Sequence, residues 1–291
     1  MFRVPRGGFG DIVQSEPDAV ALLNNFGAFG IAGEAAILAV IEQTVTSGTP
    51  HPGYGGFYRT APPPKPHGEP AARLLASPGT MRSGVMCTIT DMAGIETVEG
   101  AAIYFSEGVQ YRFQLEAVSV SEARGIGILH GTIADGFPLS VLEPSFAMDR
   151  CWHGAGSIHE ILLYAVAHDI SFEPMPDLNV RDRASDRPDV MREMKFSSDF
   201  SALFPALEGP ANGCGIQGVV KAISPYDLMV AGQKVWRLDM TMGREIAMFG
   251  KALDVTAYVP DRVMGGSVPV VGGQCYVRGN LCARLWQANV E

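Results

Sequence analysis

A mainly β (α+β) chain is what this sequence predicts, with two small β-barrel modules and an N-terminal helical hairpin. Three observations carry that expectation. Runs of β-branched and aromatic residues bounded by Gly, Pro, Asn and Asp recur from residue 81 onward, the pattern of strands joined by tight turns. The chain holds 34 Gly and 20 Pro in 291 residues, residues that interrupt helices and serve turns. Two stretches also echo each other. Tyr111-Arg112-Phe113-Gln114-Leu115 is matched by Trp236-Arg237-Leu238-Asp239-Met240, and Leu139-Ser140-Val141-Leu142-Glu143-Pro144 by Val255-Thr256-Ala257-Tyr258-Val259-Pro260. Such an echo points to an internal duplication.

The elements follow in chain order. Residues 1–48 form an arm and a helical hairpin. Ser15-Glu16-Pro17-Asp18 combines a capping serine, a first-turn proline and acids that suit the N-terminal dipole. A second helix begins at Gly33-Glu34, carries Ile37, Leu38 and Ile41 at helical spacing and stops at Ser47-Gly48. Residues 49–80 hold eight prolines and are expected to be a linker. Its Gly53-Tyr54-Gly55-Gly56-Phe57-Tyr58 stretch suits a strap over a domain surface. Residues 81–172 make the first β module, with strands expected at 85–89, 101–105, 109–118, 127–129 and 161–166. Residues 173–211 are a charged connector.

The second β module, 212–291, has the clearest pattern. Strands are expected at 218–223, 234–242, 251–259 and 271–281. The last contains Gly272-Gly273, Val277, Gly279 and Leu281. This Gly-Gly-x-x-x-Val-x-Gly-x-Leu row resembles the late strand of OB-fold barrels, where glycine lets a strand bend around the barrel. The resemblance covers residues 213–286 and makes both modules OB-like. With 47% hydrophobic residues, more than two separate small cores need, the modules are expected to pack together.

Alternation along these strands separates an inner from an outer face. Trp236, Leu238, Met240 and Met242 point inward, as do Leu253, Val255, Ala257, Val259, Cys275 and Val277. The outer face then carries Arg237, Asp239, Thr241, Asp254, Thr256, Tyr258, Tyr276 and Arg278. Of these, Arg237, Tyr258, Tyr276 and Arg278 are the candidate ligand-binding residues. Two aromatics among two arginines would suit stacked bases in a basic groove, although Asp239 and Asp254 would oppose phosphate.

Cys151, His153, His159 and His168 are the densest metal-capable group, chemically suited to zinc, but their spacing matches no zinc signature. Gly213-Cys214-Gly215-Ile216-Gln217-Gly218 satisfies GxGxxG, yet a strand-like stretch follows it instead of a helix. Gly154-Ala155-Gly156-Ser157-Ile158-His159 lacks a nucleophile elbow. Gly7-Gly8-Phe9-Gly10 is too short for a phosphate loop, and Asp182, Asp186 and Asp189 are irregularly spaced. No catalytic set, cofactor or firm metal site emerges.

Charge narrows the partners. Net charge is −9. From Gly213 onward there are eight basic and six acidic residues, net +2; the remainder carries 14 basic and 25 acidic, net −11. The acidic part repels nucleic acid and anionic membranes. The N-terminus lacks a signal-peptide run, the 33–45 window is too short and too charged to span a bilayer, and five scattered cysteines do not read as a disulfide framework. A cytoplasmic, soluble protein is expected. The leading expectation for function is non-enzymatic: a scaffold that binds a protein partner, or itself, through barrel faces. Single-stranded nucleic-acid binding through the C-terminal module ranks second, and a zinc-dependent hydrolase third.

Overall fold

The computed structural model describes residues 25–51, 71–76, 82–92, 95–121, 126–133, 136–154, 156–172, 178–181, 191–194, 201–205, 211–230, 232–242 and 252–287. The expected first helix, the strap at 53–58, Gly7–Gly10 and the three connector aspartates lie outside them. The second helix forms as expected: α1 (Glu34–Ser47) has an acid in its first turn and ends where the Gly48 N–H donates to the Thr44 carbonyl, 2.8 Å away.

Strands dominate the rest. β1 (Thr49–His51), β2 (Ala71–Ala76), β3 (Ser83–Met92) and β4 (Ile95–Phe105) form a four-stranded antiparallel sheet. Part of the proline-rich segment expected as linker is therefore strand. Pro50 is tolerated because β1 is an edge, where a missing donor costs no ladder bond.

The larger sheet closes on itself twice. β5 (Val109–Ser121), β6 (Ile126–Ile133) and β7 (Phe137–Glu143) are followed by α2 (Phe146–Asp149), a 3₁₀ turn (Arg150–Trp152) and β8 (Ile158–Ser171). A hairpin of β9 (Leu178–Arg181) and β10 (Met191–Met194) comes next, then β11 (Ala202–Pro205). The second series is β12 (Gly213–Val230), β13 (Gln233–Met242), β14 (Leu253–Pro260), α3 (Asp261–Met264) and β15 (Gln274–Gln287). One ring runs β5-β6-β7-β15-β8 and back to β5; the other runs β12-β13-β14-β8-β15 and back to β12. Both are five-stranded, OB-like Greek-key rings.

The expected boundary between modules does not separate them. The antiparallel β8–β15 pair is a wall common to both rings, and each ring takes one strand from the other series. β15 runs parallel beside β7 in the first ring, and β8 runs parallel beside β14 in the second. Of the two sequence echoes, the second joins β7 to β14, which hold the same place in their rings. The first joins β5 to β13, which hold different places.

One apolar cluster fills both rings, including Phe113, Leu129, Ile161, Leu163, Ile216, Leu238, Met240, Val255 and Val277. A second lies outside the rings. There α1, β3, β4 and the helical residues 25–28 pack with Ile128, Leu142, Tyr164, Val166, Tyr258 and Cys282. β8 is thus buried on both faces, which explains why 161–166 is a continuous apolar run without alternation. Gly279 sits at a bulge of β15, and a Cβ there would lie 2.4 Å from the Val166 carbonyl oxygen. Only glycine fits this approach.

Candidate functional site

Of the inward residues expected on β13, β14 and β15, all are buried except Trp236, which is half-buried and packs against that cluster. The expected outer face divides. Tyr258 is 0% exposed: its ring stacks on Phe105 at 3.7 Å and 4°, with Tyr164 and Tyr226 edge-on. Its hydroxyl donates to the Glu107 carbonyl at 3.2 Å, and burial pushes its pKa far up. The ring is core, not a stacking platform. Alternation marks a solvent face only where nothing covers it, and here the four-stranded sheet does.

Arg237, opposite Tyr258 on β13, is held between two carboxylates. Nη1 lies 2.9 Å from Glu107 Oε2 and Nε 3.1 Å from Asp239 Oδ1. Thr256 Oγ1 donates to the same Asp239 oxygen at 2.7 Å, and Arg82 also pairs with Glu107. This polar seam ties β13 and β14 to the strand connection at Glu107.

Tyr276 and Arg278 stand elsewhere. Arg237 is opposite Ser224 of β12, and Arg278 is opposite Gly215. Those positions are nine residues apart, about 30 Å along a strand. Arg278 makes an exposed pair with Asp169 at 3.7 Å. With His168, Arg262 and Gly27, these residues line a polar depression of about 570 Å³. The four ligand-binding candidates therefore do not form one groove.

The metal candidates separate in part: His153 and His159 meet, and His168 stands apart from them. His159 and His168 lie nine residues apart on the single strand β8, again about 30 Å. Among the described residues no group of three or more His, Cys, Asp or Glu could hold a metal ion; the Cys151 side chain lies outside them. His153 instead forms a buried pair with Glu143, Nε2 to Oε2 at 2.6 Å. Its ring stacks on Phe146 and meets His159 edge-on at 5.2 Å. Burial opposes the charged imidazole of His153, but Glu143 and Asp149 outweigh it and raise its pKa. His159, bonded to Ser157 Oγ at 2.7 Å, is pushed down to about 3 by burial and by His153. The cluster locks the α2 connection between β7 and β8. GxGxxG lies within β12, paired to β15, with no helix after it.

A loop is also open at the surface; sequence reading passed over 265–270 and expected 271–273 as the start of a strand that begins only at Gln274. Residues 265–273, Gly265-Gly266-Ser267-Val268-Pro269-Val270-Val271-Gly272-Gly273, join α3 to β15. Val268, Val270 and Val271 are 49%, 76% and 56% exposed. The loop is anchored at both ends: Ser267 N–H donates to the Met264 carbonyl at 3.3 Å, Gly272 N–H to the Val220 carbonyl at 2.8 Å, and Val220 N–H to the Gly273 carbonyl at 2.9 Å. Gly272 has φ 84°, the left-handed region that turns the chain back into β15. Consecutive apolar residues between glycine pairs were the available signal.

No family model matches this chain, and no curated protein matches it. A solved structure of the cytoplasmic molybdate-binding protein ModG, with molybdate bound, is similar at a TM-score of 0.32 and 10% identity. The match covers 62% of this chain and 97% of that one. The fold is defined here by strand order and register. No helix among the described residues is long and apolar enough to cross a membrane.

Proposed function

We propose that this is a non-enzymatic binding protein that holds a protein partner through the apolar loop at 265–273. The three exposed valines on an anchored loop carry the reading. Exposed apolar residues are common singly, whereas a contiguous group marks an interaction surface. Fully burying one valine contributes about 1.5–3 kcal/mol. Three valines already half covered therefore supply roughly 3–5 kcal/mol, less than association costs in many estimates. The loop then acts as the apolar centre of a larger contact. Its anchored ends reduce the ordering cost that a free loop would add.

On the barrel face expected to bind, Thr256 and Tyr258 are buried, and the exposed apolar group lies instead on the α3–β15 loop. A reducing, cytoplasmic setting suits Cys87, Cys214, Cys275 and Cys282, which are buried free thiols. The test compares wild type with Val268→Ser/Val270→Ser/Val271→Ser as bait in native lysate. The reading requires a protein held in near-stoichiometric amount by wild type and lost with the triple variant. A wild type that retains nothing, or a variant that retains the same partner equally, contradicts it.

A further inference from the structure

A cleft of about 460 Å³ lies where β5, β6 and β7 of the first ring meet β11, β12 and β15. Its volume falls within the ~300–1,000 Å³ typical of small-molecule sites. Phe137, Leu139, Leu203, Cys214 and Leu281 give it apolar walls. The polar groups are gathered on β5, β6 and β7: Glu116, His130 and Ser140.

Those polar groups have a definite order. His130 is fixed from both sides, Nε2 to Ser119 Oγ and Nδ1 to Ser140 Oγ, each at 2.8 Å. One ring nitrogen of a neutral imidazole donates and the other accepts. Burial lowers the His130 pKa and so favours that neutral form. Ser140 lines the cleft and retains hydrogen-bonding capacity beyond its contact with His130. Glu116 is exposed and stands at the mouth. Among the described residues no Lys or Arg lines the cleft, and Glu116 gives it negative charge.

We infer that this cleft binds a small amine: a flat apolar body between Phe137 and the leucines, with its ammonium group at Glu116 and Ser140. The charge at the mouth selects against a carboxylate on the same body. The cleft shares no residue with the loop at 265–273, so the two readings stand or fall separately.

Isothermal titration with tryptamine, indole and indole-3-acetate tests it, since the three share one ring system and differ in charge. Tryptamine is expected to bind most tightly and indole-3-acetate least. Glu116→Gln should weaken tryptamine about three- to fivefold, as suits a solvent-exposed charge pair, and leave indole unchanged. Leu203→Trp, which fills the cleft from its rim, should abolish binding of all three. The inference is overturned if tryptamine gives no heat up to millimolar concentration. It is also overturned if indole-3-acetate binds as tightly, or if Leu203→Trp leaves tryptamine binding intact.

Discussion

Gly279→Ala strikes the wall that both rings share. A Cβ at this position would lie 2.4 Å from the Val166 carbonyl oxygen, 3.0 Å from its carbon and 3.2 Å from Ala167 Cα. All three are backbone atoms, so no side chain can swing aside. Neither strand is free to retreat. Val166 of β8 is held on its other edge by Tyr258 of β14, and Gly279 of β15 by Cys214 of β12. Relief requires about 1 Å of separation, given that carbon contacts settle near 3.5–4.0 Å. Overpacking typically costs about 1–3 kcal/mol, and two pinned strands place this case in the upper half, about 2–3 kcal/mol. For a chain of this size that lowers Tm by roughly 3–5 °C. The assay is thermal unfolding followed separately at Trp152, in the β7–β8 connection, and at Trp236 on β13, with the other tryptophans replaced by Phe. Because the wall is common, both signals should shift together. A variant that melts within a degree of wild type, or one in which only Trp236 shifts, would refute the shared wall.

Other outcomes follow from the same structure. Tyr258→Ala should lower stability by about 3–5 kcal/mol, as for other large core aromatics; anisotropy of labelled oligo-dT should show no Tyr258-dependent binding, and a folded variant with selectively weakened oligo-dT affinity would contradict its place in the core. The Glu143–His153–His159 cluster sets two pH windows. His153 has a raised pKa, so its stabilisation is fully present below 6.5 and is lost as pH rises through the folded value; Glu143→Gln should flatten that alkaline limb. His159 has its pKa pushed down to about 3, so stability falls as pH drops below 6.5, by up to about 1.4 kcal/mol per pH unit; a His159→Gln variant whose denaturant midpoints keep the wild-type acid slope would exclude this. Val268→Ser/Val270→Ser/Val271→Ser should change stability by no more than about 0.5 kcal/mol, as at other exposed sites; a loss of several kcal/mol in urea would show that the valines serve the fold.

How much of this was legible in the chain depends on what each pattern measures. Leu238, Met240, Val255, Ala257 and Val277 were readable as core because alternation reports burial on one face. Gly279 was readable as a bend because a strand interior rarely uses glycine otherwise. Tyr258 and Thr256 were misplaced because a strand covered on its second face can still alternate in polarity. The cover over Tyr258 comes from Phe105 of β4, about 150 residues away in sequence, and no local pattern encodes it. The exchange of β8 and β15 was equally hidden, since strand pairing is a property of the closed ring and not of either strand. The unbroken apolar run at 161–166 was its one trace, a strand with no solvent side. β1 was masked by the prolines around it, although an edge strand tolerates proline. The metal candidates failed for a geometric reason. Residues close in sequence are far apart in space once they lie on one extended strand, and His159 and His168 do.

Hydrogen–deuterium exchange on the protein with its captured partner addresses the binding claim most directly. The account predicts that exchange slows at residues 267–271 on complex formation, while strands β8 and β15 keep the protection they already have in the free protein. Protection that forms elsewhere, with exchange at 267–271 unchanged, would contradict it.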